Sequence, residues 1–175
     1  MQEFESLRKA ARQPKDPNRI VRADLSHIEA IADMRVAQQV ENWTNILEKD
    51  FAVYAAQYRE ITVSYLQRRL NHSLFYVIKY VQEEPVAMCA LEEQDELPPI
   101  TVCMENKRHG WIVSVYTKPE HRGRGYQQAL MKELLTLARD RGFGDVTLTT
   151  NRPDAIHVYE KVGFRHTSDK YFLKL

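Results

Sequence analysis

Apolar positions along the chain recur with two different periods, and each change of period marks a new element. Arg19–Ala23 is a short β-rich run that reads as a first strand. Ile28, Ile31, Ala32 and Val36 then recur at steps of three and four, the stripe of a first helix. Ser26 and Glu29 have capping-box spacing in front of it. Asp50 reads as the cap of a second, longer helix carrying Phe51, Tyr54, Tyr58, Ile61 and Tyr65 at helical spacing. Tyrosines so spaced are expected in a core with their hydroxyls at its edge; the wall of a substrate pocket is the other reading. Leu74–Val81 and Val86–Leu91, joined by Gln82–Pro85, form an expected antiparallel hairpin. Glu92–Pro99 is acidic and proline-containing, a loop or a fraying strand, and Ile100–Met104 is a further short strand.

The rest of the chain is organised around Trp111–Ala138. Trp111–Thr117 is β-branched and aromatic, as expected of a strand covered on both faces. Pro119 interrupts it. From Gly125 on, Leu130, Leu134, Leu137 and Ala138 follow one helical face, widened by Met131 and Leu135. Asp145–Thr150 is another strand, residues 153–162 a helix opened by Pro153 and ended by Gly163, and Tyr171–Leu175 a last strand. Two early helices, a hairpin and a β–α–β–α–β tail predict an α/β (α+β) single domain around a mixed sheet. Residues 1–18 are an N-terminal arm or a short docking helix, and residues 19–175 the domain.

The junction Arg122-Gly123-Arg124-Gly125-Tyr126-Gln127 carries the chemistry. The first amides of a helix have no partner within it and lie at the positive end of its dipole. Two glycines let an anion approach those amides without meeting a Cβ, and two arginines add formal charge. The junction therefore reads as a pyrophosphate cradle or, more plainly, as a tight turn.

Composition narrows the class. The chain has 175 residues, enough for one sizeable core, and a formal net charge of +1, no basic surplus for binding nucleic acid. Cys89 and Cys103 are expected as free thiols. No signal-peptide pattern and no bilayer-length apolar run appear, so the expectation is a cytoplasmic protein with no membrane partner. Gly123-x-Gly125 lacks the third glycine of a dinucleotide fingerprint, since position 128 is Gln128, and there is no P-loop.

These residues resemble the GNAT superfamily of N-acetyltransferases. Arg122-Gly123-Arg124-Gly125-Tyr126-Gln127 matches its Arg/Gln-x-x-Gly-x-Gly/Ala signature except at Gln127, where a small residue is usual. Asn151, Ala155 and Tyr159-Glu160-Lys161-Val162-Gly163-Phe164 match a second family segment, and Thr117-x-Pro119-Glu120 also fits. The match runs from about Trp111 to Phe164. It implies a GNAT-like fold with a splayed pair of strands around acetyl-CoA. Val115, Tyr116 and Thr117 would offer backbone groups to the pantetheine arm, and an amide near Val115 would polarise the thioester. Arg122, Gly123, Arg124, Gly125, Tyr126 and Gln127 would hold the diphosphate. Asn151 would orient cofactor or substrate, and Tyr159 would protonate the leaving thiolate.

The resemblance thus implies acetyl transfer from acetyl-CoA to a small-molecule or peptide amine, without a metal, by a monomer or homodimer. A general base is not legible: Glu92, Glu93, His109 and Glu120 are candidates, directly or through water, and most of them also read as plain solvated charges. Gln127 and the unassigned base leave a second reading open, an acyl-CoA-binding or sensing module of the same fold.

Overall fold

The computed structural model describes residues 16–94, 108–150 and 152–166. The expected strands Ile100–Met104 and Tyr171–Leu175, most of the N-terminal arm, Cys103 and Asn151 lie outside the described residues.

Among the described residues, five strands form one mixed sheet in the order β1-β2-β3-β4-β5: β1 Ile20–Arg22, β2 Leu74–Val81, β3 Glu84–Glu93, β4 Arg108–Thr117 and β5 Phe143–Thr147. The first four pair antiparallel and β5 runs parallel to β4. The hairpin is tighter than its sequence implies. Only Gln82 and Glu83 separate β2 from β3, with φ of 49° and 67°, the two left-handed residues a twist-matched two-residue turn requires.

Among the described residues, four α-helices flank the sheet: α1 Ile28–Leu47, α2 Ala55–Arg69, α3 Tyr126–Asp140 and α4 Pro153–Lys161. Side chains alternate across each strand, so β2 sends Phe75 and Val77 to one face, Tyr76 and Ile78 to the other. The first face packs on Leu130, Met131, Leu134 and Leu137 of α3, the stripe expected of that helix. The second packs on Ile31 and Met34 of α1 and Leu66 of α2. Gly163 (φ 102°) closes α4, its amide bonded to the Glu160 carbonyl.

Three local expectations are corrected. A 3-10 turn, Leu25–His27, precedes α1, so Asp24 rather than Ser26 is the cap, accepting from the Ser26 amide at 2.9 Å. Glu29 is thereby free to pair with Arg59 of α2. The second helix is the shorter, 15 residues against 20. Its aromatic stripe is core only in part: Tyr65 packs on the second face with its hydroxyl bonded to Glu92, but Tyr54 and Ile61 are 59% and 57% exposed, and the buried line is Thr62 and Leu66, one position round the helix. Thr62 fits that line because its hydroxyl donates back to the Tyr58 carbonyl at 2.8 Å.

Candidate active site

The sheet opens between β4 and β5. β4 and β5 pair only as far as Trp111 opposite Thr147, and β4 then continues to Thr117 without β5 beside it. Along this stretch Tyr116 pairs with Met88 and the Lys118 amide donates to the Val86 carbonyl at 2.9 Å. Residues 116 and 118 therefore turn their backbone groups to β3, and Val115 and Thr117 turn theirs to the opening. A bulge sits at the same place. Ala90 lies opposite Val113 and Met88 opposite Tyr116, so Ser114 and Val115 share the single partner position of Cys89. Ser114 takes φ 55°, a left-handed conformation unusual for a residue with a Cβ.

Directly after β4 comes the turn singled out above. Gly123 and Gly125 have φ of 74° and 75°, and a Cβ at either would meet no atom within 4 Å, so the space over the turn is open. Among the described residues, the amides of Gly123, Arg124 and Gly125 have no backbone carbonyl partner, and the first helical bond is from the Ala129 amide to the Gly125 carbonyl. The Arg122 amide is already used, bonded to the Pro119 carbonyl at 3.2 Å. A run of amides without backbone partners at a helix N-terminus, roofed by no side chain, has the geometry and the dipole that suit an anion.

Opening and turn belong to one groove of about 940 Å³, lined also by Gln38, Glu41 and Ile46 of α1 and by Ala155, Tyr159 and Lys161 of α4. Its described lining carries Arg122, Arg124, Arg152 and Lys161 against one carboxylate, Glu41. Tyr116, Thr117, Tyr126 and Gln127 line it as well, so the described members of the expected site fall in one cavity. Tyr159 is 8% exposed: it is both a core residue, edge-on to Phe164 at 6.1 Å, and part of the groove wall.

Several of these groups are already engaged. The Arg122 guanidinium donates to the Thr117 carbonyl at 3.1 Å and to both carboxylate oxygens of Glu41 at 2.7 Å. Gln38 donates from Nε2 to the Val115 carbonyl at 2.8 Å. Gln127 donates to the carbonyls of Tyr116 (2.6 Å) and Met88 (3.2 Å), and its own Oε1 is buried without a partner. The bulkier residue of the signature is thus drawn to strand carbonyls and ties α3 to both strands.

The four base candidates do not line the groove. Glu92 accepts from Tyr65 and Arg69, both at 2.6 Å. Glu93 is clasped by Arg108, which holds its carboxyl below the usual range. His109 is buried, its Nδ1 paired with Asp145. Glu120 is exposed and clusters with Glu84 and His121.

Sequence reasoning passed over Gln38 and Glu41. One signal was present: Ile31, Met34 and Gln38 continue a single buried line at steps of three and four, and a glutamine on an apolar line has a hydrogen bond to make.

A mixed sheet parted beside a glycine turn at a helix N-terminus defines the class as a single-domain acetyltransferase fold. Residues 40–164 match the acetyltransferase (GNAT) family, and the chain belongs to it. N-acetyltransferase 8 of Homo sapiens is 31% identical over 115 residues, 65% of this chain and 47% of that protein. The namesake from Rattus norvegicus is 29% identical over 131 residues, 74% of this chain and 54% of that protein. The chain thus spans about half the length of these relatives. Among solved structures, a predicted acetyltransferase from Clostridium acetobutylicum, crystallised with acetyl-CoA, superposes with a TM-score of 0.71 at 23% identity, covering 89% of this chain and 95% of that one. A GCN5-related N-acetyltransferase from Ralstonia eutropha JMP134 gives 0.70 at 21% identity, covering 89% and 97%. These two likenesses concern the fold.

Proposed function

We propose that the chain transfers an acetyl group from acetyl-CoA to a primary amine by direct attack on the thioester. The observation that carries this reading is the continuity of the groove, from unpartnered turn amides among four cationic side chains to the unpaired edge of β4. A coenzyme with a diphosphate at one end and an extended amide-bearing arm matches both halves. Gly123, Arg124, Gly125 and the amides of Tyr126 and Gln127 hold the diphosphate, joined by Arg122 once it leaves Glu41. The arm lies along Val115, Tyr116 and Thr117. It takes the amides of Val115 and Thr117, whose carbonyls already accept side-chain bonds, and passes over Tyr116, whose backbone is turned to β3.

The neutral amine nitrogen bonds to the acyl carbon, the C–S bond breaks, the thiolate takes a proton from Tyr159, and the nitrogen gives up its surplus proton to solvent, from which Tyr159 is reprotonated. The Val115 amide meets the developing oxyanion, a contribution of roughly a hundred- to a thousand-fold in rate. The acceptor must shed a proton first: a lysine-like amine is neutral in about one molecule in 2,500 at pH 7, a cost of about 4.6 kcal/mol. Asn151 is assigned to orienting cofactor or substrate on the motif alone.

Calorimetry with acetyl-CoA tests the first half, and no saturable binding at millimolar concentration sinks the reading. Release of free CoA across an amine panel tests the second. A tight complex with no release would mark the chain as a sensor.

A further inference from the structure

We propose that Gln38 and Tyr76 are positioning residues for acyl transfer, holding the Ser114–Val115 peptide from either side so that its N–H faces the thioester. The inference rests on the acetyl-CoA reading above.

That peptide is the bulged one, at the mouth of the parted strands. Ladder hydrogen bonds normally fix a strand peptide, and here the ladder is irregular: two residues share one partner position and β5 has ended. Ser114 also sits at φ 55°, where a side-chain-bearing residue stays only if something holds it. Two side-chain contacts brace the irregular stretch. Before the peptide, the buried Tyr76 hydroxyl and Ser114 Oγ lie 2.8 Å apart. After it, Gln38 Nε2 donates to the Val115 carbonyl at 2.8 Å, and Arg35 donates to Gln38 Oε1, also at 2.8 Å. Gln38 is 8% exposed, so its amide is already desolvated and has little freedom to lose. An oxyanion donor acts in proportion to how well it is aimed before the charge forms. The peptide is aimed here by one residue from β2 and one from α1, neither adjacent to it in sequence.

The test reads the aim directly and needs no acceptor. Acetyl-CoA labelled with 13C at the carbonyl is bound to the whole chain, and isotope-edited infrared spectra record the thioester stretch. In the wild type the stretch should fall to lower wavenumber on binding, as a donated hydrogen bond weakens the C=O bond. Gln38→Leu and Tyr76→Phe should each return it toward the free value at saturating acetyl-CoA, with calorimetry confirming that the site is filled. Ser114→Gly in the Tyr76→Phe background should recover part of the lowered stretch, because glycine adopts a left-handed φ without strain. If Gln38→Leu fails to fold, Arg35→Met leaves the glutamine in place and should give a partial loss. A lowered stretch that persists in these variants overturns the proposal, as does an unshifted stretch in a wild type that binds. Absence of wild-type binding in calorimetry sinks the acetyl-CoA reading itself, and this inference with it.

Discussion

Replacing Glu41 with glutamine should tighten acetyl-CoA binding. In the unliganded chain the Glu41 carboxylate chelates Arg122 through both oxygens at 2.7 Å, much as a phosphate would. The side chains are 28% and 36% exposed, so the pair contributes no more than about 1 kcal/mol. An incoming diphosphate must break that pair and then tolerate the freed carboxylate nearby. A unit charge at roughly 6 Å in a water-like medium repels by about 0.7 kcal/mol. Glutamine removes both costs yet still offers Arg122 an oxygen, so affinity should rise about tenfold, the equivalent of about 1.4 kcal/mol. Titration calorimetry at low and high salt measures it, and the gain should shrink as salt screens the repulsion. Weaker binding by Glu41→Gln would refute the reasoning and make Glu41 a support that aims Arg122 at the phosphates.

The Tyr76 phenol, fully buried, is pushed from 10.0 up to about 12 chiefly by desolvation. Its contribution to stability is complete below pH 10 and is lost as the pH climbs from 10 to 12, at most about 3 kcal/mol; urea unfolding of Tyr76→Phe should show a correspondingly flatter alkaline limb. Gly125→Ala meets no atom, so its cost is the left-handed backbone, about 1–2 kcal/mol in denaturant unfolding. Its Cβ should also weaken acetyl-CoA binding, and unaltered affinity would put the diphosphate elsewhere. Tyr159→Phe should lower CoA release by about a hundred-fold with affinity nearly intact, and undiminished release would remove the acid role.

What the sequence disclosed depended on how local each cause was. Gly125 is legible because a left-handed helix start needs glycine whatever surrounds it, and α3 because Leu130, Leu134 and Leu137 must share one face. Hence the glycine turn, the central strand and the helix after it are found where their residues place them. The aromatic line of α2 misled for the opposite reason. Tyr58, Ile61 and Tyr65 are as periodic as Thr62 and Leu66, and only the position of the sheet decides which line is buried. Glu41 and Gln38 were hidden because their partners lie 81 and 77 residues away, and pairings of that span leave no trace in spacing. The Ser114 bulge was equally silent: nothing in Val-Ser-Val-Tyr announces a residue that turns left-handed inside a strand.

Where β5 leaves β4, a strand flank is left available to any passing extended chain, the usual seed of unwanted self-association. On β4 that flank does not stay bare. Gln38 covers the Val115 oxygen and Arg122 the Thr117 oxygen, so half of the pairing template is masked by the chain's own side chains. Vacant protein is thereby guarded against strand addition from a neighbour. Truncating either side chain is expected to make the empty form more prone to aggregate, with bound coenzyme restoring the cover.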